Sequence, residues 1–232
     1  MITLEQANAA ANEAARRYYA RKGRPYKGWG SDVSSKSQMP WFVQSINKAA
    51  RQMQIKPGLG LCALWGRSMQ ETGAAWYDVE QKSDARCEEL YGPQTATGKR
   101  LGNTQPGDGA KYKGRGVIQA TGRANYTNFS NKIGVDFVDD PDLIIDPEYA
   151  SQFITWYVVE EMPRRSECFR LLEWIKNEEL SLRQRTHRVA ACINWGEFYP
   201  CRNYPAESQI HGFDMSLTYA ESLAGVLGLQ YD

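Results

Sequence analysis

Gln70-Glu71-Thr72-Gly73 and Lys111-Tyr112-Lys113-Gly114-Arg115-Gly116-Val117-Ile118-Gln119-Ala120-Thr121-Gly122 are the two stretches on which the reading of this chain turns. The first ends an apolar run with a carboxylate and a glycine, the usual residue at a helix end. The second is punctuated by glycines and carries polar side chains able to hydrogen-bond a sugar. Glu80 adds a second carboxylate nine residues after Glu71. Two carboxylates beside a polar wall are what hydrolysis of a glycosidic bond requires.

Outward from these stretches the chain reads as mainly helical. Thr3 and Gln6 have capping-box spacing, and Leu4, Ala7, Ala11, Ala14 and Tyr18 follow at helical intervals, so a first helix should end near Gly23. Residues 28–39 are rich in Gly and Ser and read as a linker or as a loop packed on the main body. Pro40 should open a helix towards Ile55, broken by Pro57-Gly58. The nearly continuous apolar run from Leu59 predicts a buried helix that delivers Glu71 at its end. Asp146-Pro147-Glu148 is a strong helix start. Further helices are expected over Cys168–Glu178, Leu182–Ile193 and Ser216–Leu227. Tyr91–Thr121 reads as loops with at most a short strand or hairpin. The expected organisation is an N-terminal helix and linker over 1–39, followed by a catalytic domain over 40–232.

Composition limits the alternatives. A net charge of +1 gives no global field for nucleic acid. No apolar run approaches the roughly 18 residues of a membrane span, and the N-terminal residues lack the basic-then-apolar pattern of a secretory leader. A protein made in the cytoplasm without a signal peptide is therefore expected. The five cysteines include no CxxC pair and read as reduced, with a Cys192–Cys201 bridge open in an oxidising space. With only His187 and His211 and no HExxH, neither a catalytic metal nor a cofactor is expected. Arg16, Arg17, Arg21, Lys22, Arg24 and Lys27, interleaved with Tyr18, Tyr19, Tyr26 and Trp29, form a local basic-aromatic patch. It reads either as a solvated helix face or as a contact to anionic cell-envelope polymers.

On one unbroken helix, Glu71 and Glu80 would face opposite sides and lie roughly 13 Å apart along the axis. Gly73 lets the chain fold back and aim both into one cleft. Glu71, among Trp65, Met69 and Trp76, should have a raised pKa; Glu80, beside Asp78, Gln81 and Lys82, should be wetter and ionised. Spacing alone also allows Glu71 as a cap or salt-bridge partner and Glu80 as a solvated loop acid.

The motifs together resemble glycoside hydrolase family 19, the chitinases and phage endolysins with a lysozyme-like helical fold. Gln70-Glu71-Thr72-Gly73 is similar to the family's His-Glu-Thr/Ser-Gly, Gly114–Thr121 to its Gly-Arg-Gly-x-Ile-Gln-x-Ser/Thr, and Ile193-Asn194-Trp195-Gly196 to its Ile-Asn-Gly-Gly. Gln70 and Trp195 depart from that pattern, and residues before 40 lie outside it. The resemblance implies Glu71 as general acid, Glu80 (at the spacing of the lysins) as general base, and Thr121 as holder of the attacking water. It implies Tyr112, Gln119 and Asn194 as sugar contacts. Arg115 is assigned to the same substrate-binding segment, its alternative being an ion-pair partner near the acids.

The implied activity is inverting hydrolysis between N-acetylmuramic acid and N-acetylglucosamine in peptidoglycan, by a phage endolysin or an antibacterial effector. A monomer acting on the bacterial wall is expected. Chitinase, lytic transglycosylase and inactive wall-binding module are the rivals.

Overall fold

The computed structural model describes residues 1–23, 38–165, 170–195 and 205–231, without the side chains of 194 and 195. Its centre is a helix buried along almost its whole length. Leu59–Glu71 (α3) buries every residue from Gly60 to Met69, because its apolar run leaves no polar face for water. Leu4–Arg21 (α1) starts at the expected capping box, with Thr3 accepting from the Gln6 amide. Met39–Gln52 (α2) carries Pro40 in its first turn. Pro147–Trp156 (α8) is capped by the Asp146 side chain. Leu182–Trp195 (α11) and Phe213–Val226 (α12) complete the helical body.

Small residues set the contact between α3 and α12. A Cβ on Gly66 of α3 would stand 2.2 Å from the Ser216 carbonyl oxygen of α12, so the two helices approach at a distance only glycine permits. The alanines of α1 (Ala7, Ala10, Ala11 and Ala14) are fully or almost fully buried, and this helix packs on α12. They belong to the same core as Phe42 and Trp65, whose rings meet edge to face at 5.0 Å. Each such large side chain contributes about 1.5–3 kcal/mol on burial.

Two helices had no signal in the apolar pattern. Asp84–Tyr91 (α4) buries only Cys87 and is specified by its Ser83 cap. Arg123–Ile133 (α7) buries only Tyr126 and Phe129. The stretch expected to be loops holds two short helices, Ala96–Arg100 (α5) and Asp108–Lys111 (α6), as well as the expected hairpin. The hairpin is a bridge between Arg115 and Ala120, and Val79 bridges antiparallel to Arg115. Among the described residues these bridges are the whole of the β-structure. Tyr157–Glu161 continues α8 as one π-helical turn into Met162–Arg165 (α9), and Leu171–Lys176 (α10) is shorter than the helix expected there.

No helix among the described residues is long and apolar enough to cross a membrane. Cys62, Cys87 and Cys192 are free thiols, buried, and burial pushes the Cys62 thiol up to about 12. Cys201, the partner in the open disulfide reading, and residues 28–37 of the expected linker lie outside the described residues. Within the basic-aromatic patch, Arg16 and Arg17 pair with Glu13, Arg17 also with Glu221, and Arg21 donates to Thr218. These cations therefore hold α1 to itself and to α12. Arg24, Tyr26, Lys27 and Trp29 lie outside the described residues.

Candidate active site

The chain reverses direction immediately after Glu71. Gly73, Ala74 and Ala75 all take left-handed backbone angles, with φ of 57°, 68° and 61°. The Ala74 amide reaches back to the Met69 carbonyl (2.7 Å), and the Thr72 hydroxyl accepts from the Ala75 amide (3.1 Å). Two alanines in that region cost on the order of 1–3 kcal/mol each. Burial of both holds the turn: Ala74 is 3% exposed and Ala75 fully buried. The returning segment then pairs with the hairpin. The Gly116 amide donates to the Asp78 carbonyl (2.7 Å) and the Glu80 amide to the Gly114 carbonyl (2.8 Å). This pairing brings Glu80 back beside the end of α3.

A cleft of about 610 Å³ results, lined by Glu71, Glu80, Gln119 and Thr121 together with Gln70, Tyr77, Tyr91, Arg165 and other side chains. The two acids sit in different surroundings. Glu71 is paired with Arg67, one helical turn earlier, and Arg67 is itself clamped to the His211 carbonyl at 2.8 Å. Burial nevertheless outweighs the Arg67 charge and holds the Glu71 carboxyl above the usual carboxylate range. The raised pKa expected from the apolar neighbours is therefore present, and it coexists with the ion pair that spacing alone had also allowed.

Glu80 is not the wetter acid. Its side chain is 12% exposed against 19% for Glu71. It accepts from the Tyr91 hydroxyl (3.0 Å), the Gly114 amide (3.2 Å) and Lys82. Its flanking residues made it look solvated, whereas pairing with the hairpin and the Tyr91 side chain covers it. Burial and the facing Glu80 carboxylate in turn push the Tyr91 phenol up, out of its ordinary range. Tyr91 therefore stays a donor to Glu80.

The hairpin turn is strained where it meets the cleft. Gln119 has φ of 51°, uncommon for a residue with a Cβ. Its side-chain amide donates to the Gly116 carbonyl (3.0 Å), and its carboxamide oxygen would stand 2.7 Å from a Cβ on Gly114. A side chain at Gly114 would thus push the Gln119 carboxamide aside. The Thr121 hydroxyl donates to the Gln119 carbonyl (2.8 Å), leaving its lone pairs as acceptors on the cleft wall.

Two expected sugar contacts do not reach the cleft. Tyr112 is fully buried: its hydroxyl donates to the Val138 carbonyl (3.0 Å), and its ring packs on Tyr126 and under the Arg123 guanidinium. Its neighbours in sequence suggested the cleft, but α6 ends at Lys111 and turns the ring inward. Arg115 is 6% exposed and binds Asp142 (2.7 Å) and the carbonyls of Lys111 (2.9 Å) and Lys113 (3.0 Å). It is a structural ion-pair partner as one of its readings had it, but Asp142 is its partner and neither cleft acid is. Asn194 belongs to α11, and its side chain lies outside the described residues.

One further cleft residue is marked in the sequence. Arg67 is the only charge between Leu59 and Gln70, four residues before Glu71, the spacing of a helical ion pair. Tyr77 is 42% exposed at the cleft, packed over Gly73, where a Cβ would stand 2.8 Å from its ring. Tyr91 and Arg165 come from segments far from the motifs, and no local pattern points to them. Among the described residues no cluster of metal-ligating side chains is present.

Comparison with known proteins identifies the family and the fold. The family model for glycoside hydrolase family 19, chitinase class I, matches residues 14–185. Endochitinase A2 of Pisum sativum is 23% identical over 163 residues, covering 64% of this chain and 45% of that protein. A glycosyl hydrolase family 19 domain-containing protein of Haemophilus influenzae is 34% identical over 86 residues, 36% of this chain and 38% of its own length. The chain thus spans less than half the length of these curated relatives. Among solved structures, a bacterial family 19 chitinase superimposes with a TM-score of 0.52 at 19% identity, over 99% of this chain and 96% of that one. Chitinase C from Streptomyces griseus HUT6037 gives 0.51 at 18% identity, over 99% and 78%. At these identities the likeness is one of fold.

Proposed function

Because the chain belongs to glycoside hydrolase family 19, we propose that it is a glycosidase that cleaves peptidoglycan between N-acetylmuramic acid and N-acetylglucosamine with inversion. The observation that carries this reading is the pairing of Glu71 and Glu80 on one cleft in unlike surroundings. Glu71, whose pKa burial raises, acts in its protonated form and donates to the glycosidic oxygen as the bond breaks towards an oxocarbenium-like state. Arg67 fixes the orientation of that carboxyl. Glu80, as carboxylate, takes a proton from a water on the opposite face of the sugar, and its own position is held by Tyr91, Gly114 and Lys82. The Thr121 hydroxyl accepts a hydrogen bond from that water, and Gln119 presents its carboxamide to the sugar. Inversion needs about 6.5–9.5 Å between carboxyls, room for the water. The enzyme works on the bacterial wall as a monomer, in lysis or in antagonism between bacteria.

Chitin is the second reading, favoured by the chitinases among the matches. Digestion of purified peptidoglycan and of N-acetylglucosamine oligomers by the wild type, Glu71→Gln and Glu80→Gln, with products analysed by mass, separates the readings. Hydrolysed wall fragments with free reducing ends, lost in both variants, are expected. Release of chitin fragments alone would make it a chitinase, and anhydro ends surviving Glu80→Gln would make it a transglycosylase. Wall binding without cleavage of either polymer would make it a binding module.

A further inference from the structure

The side of the cleft next to Thr121 is built from side chains that the proposed chemistry does not use. The Asn125 amide donates to the Thr121 carbonyl (2.8 Å), and the Asn125 oxygen accepts from the Arg165 guanidinium (2.5 Å). Arg165 is held from behind as well, by Glu161 at 2.9 Å, and it lies over the Tyr157 ring at 5.6 Å from its centroid. Glu161 is 2% exposed and accepts from both Arg164 and Arg165, which holds its carboxyl below the usual range. The π-helical turn brings this about, since it places Glu161 inward at the start of α9. Arg165 itself, with 15% of its side chain exposed, lines the cleft, and Arg100 of α5 lines it too.

Charge across the cleft is uneven. Among the described lining residues Arg67, Lys82, Arg100 and Arg165 are cationic, against the carboxylates of Glu71 and Glu80. Arg67 and Lys82 face those two acids directly. Protonation of Glu71, which the reaction requires, leaves the cleft more positive still. A neutral polymer of N-acetylglucosamine offers such a wall only uncharged acceptors. A glycan bearing carboxylates does, because a guanidinium fixed at two points forms charge-assisted bonds without losing side-chain freedom.

We propose that Arg165, braced by Glu161 and Asn125 and assisted by Arg100, forms an anion subsite that selects a carboxylate-bearing glycan over neutral chitin. The inference rests on the glycosidase reading of the same cleft. It adds that muramic-acid residues are recognised by their negative charge. Where the stem is present that carboxylate belongs to the peptide, because the stem's amide bond takes up the lactyl carboxyl; where the stem has been removed it is the lactyl group itself.

The test measures binding and cleavage separately. Wild type, Arg165→Gln, Arg165→Lys and Arg100→Gln are titrated with four short glycans: neutral N-acetylglucosamine oligomers, muramyl glycans with the stem intact, the same glycans with the stem removed, and those with their carboxylates esterified. Glu161 keeps both of its bonds to Arg164, so loss of Arg165 does not leave a buried charge alone. The preference for anionic over neutral glycan is expected to fall about tenfold in Arg165→Gln, the range of one charge-assisted bond. Arg165→Lys should recover part of it, and salt should weaken only the anionic ligands. Preference confined to stem-bearing glycan assigns the stem carboxylates, preference confined to stem-free glycan assigns the lactyl carboxylate that stem removal frees, and preference for both means that the subsite takes either. Equal affinity of the wild type for neutral, esterified and charged glycans would overturn the inference, as would an unchanged preference in Arg165→Gln and Arg100→Gln. Charge-selective binding without any bond cleavage would leave the subsite standing and remove the glycosidase reading.

Discussion

Gly66→Ala sets two opposed effects against each other, and the structure says which wins. Alanine in place of a mid-helix glycine should stabilise α3 by about 1 kcal/mol through helix propensity alone. The added Cβ, however, would lie 2.2 Å from the Ser216 carbonyl oxygen, 2.8 Å from the Ala220 Cβ and 2.9 Å from the Ala220 amide nitrogen. A carbon and an oxygen rest about 3.3 Å apart or more, so α3 and α12 must separate by about 1 Å. Backbone cannot rotate out of the way as a side chain would. Overpacking of this kind costs about 1–3 kcal/mol and occasionally more, so destabilisation is the expected sign.

Gly225→Ala on α12 is the control, because its Cβ would meet nothing closer than the Tyr231 hydroxyl at 4.0 Å. That variant should be stabilised by up to about 1 kcal/mol. Urea unfolding with matched m-values measures both, and each kcal/mol moves the melting temperature of a chain this size by about 2–4 °C. Glu71 lies on the same helix, five residues beyond Gly66, so a shift near 1 Å should also cut turnover by up to about a hundredfold. A Gly66→Ala protein as stable as Gly225→Ala, with wild-type turnover, would refute the close crossing of these helices and the placement of Glu71 that depends on it.

Glu71→Gln and Glu80→Gln should each lower kcat by about 10²–10⁴ with KM little changed, measured on whichever polymer the wild type cleaves. The raised Glu71 pKa should make activity fall as pH rises through it, because the proton donor is lost; a pH–rate profile lacking that limb in wild type would contradict the assignment. The same raised pKa favours the folded state below the ordinary Glu pKa, and that contribution disappears as pH rises through the folded value. Asp108 and Glu161 act oppositely, since their lowered pKa values give stability present above the ordinary carboxylate range and lost on acidification. Their combined action should appear as acid unfolding monitored by circular dichroism. Arg115→Ala deprives the Lys111 and Lys113 carbonyls of a donor and should cost about 2–4 kcal/mol in chemical denaturation. Tyr112→Phe, which removes only a buried hydroxyl bond, should cost about 1 kcal/mol of stability and leave KM unchanged.

Much of this protein follows from sequence alone. The capping box at Thr3, the proline starts at Pro40 and Pro147 and the apolar run into Glu71 place α1, α2, α8 and α3 because each signal is local. Helices α4 and α7 escaped that reading, as caps and a few buried residues specify them rather than an apolar face. The order of Glu71, Glu80 and the hairpin motif was likewise legible, and Gln119 and Thr121 reach the cleft with both acids. Proximity to a motif misled at Tyr112 and Arg115, whose side chains turn into the core beside it.

Tertiary structure alone decided the surroundings of each acid. Nothing in the residues flanking Glu80 announces Tyr91 or the Gly114 amide as its donors, and nothing near Asn125 announces Arg165, forty residues on, as its partner. A residue's type and its place on a helix are written within a few neighbours. Its desolvation and its charged partners depend on which distant segments the fold brings within a few ångströms, and those determine what a carboxylate in this cleft can do.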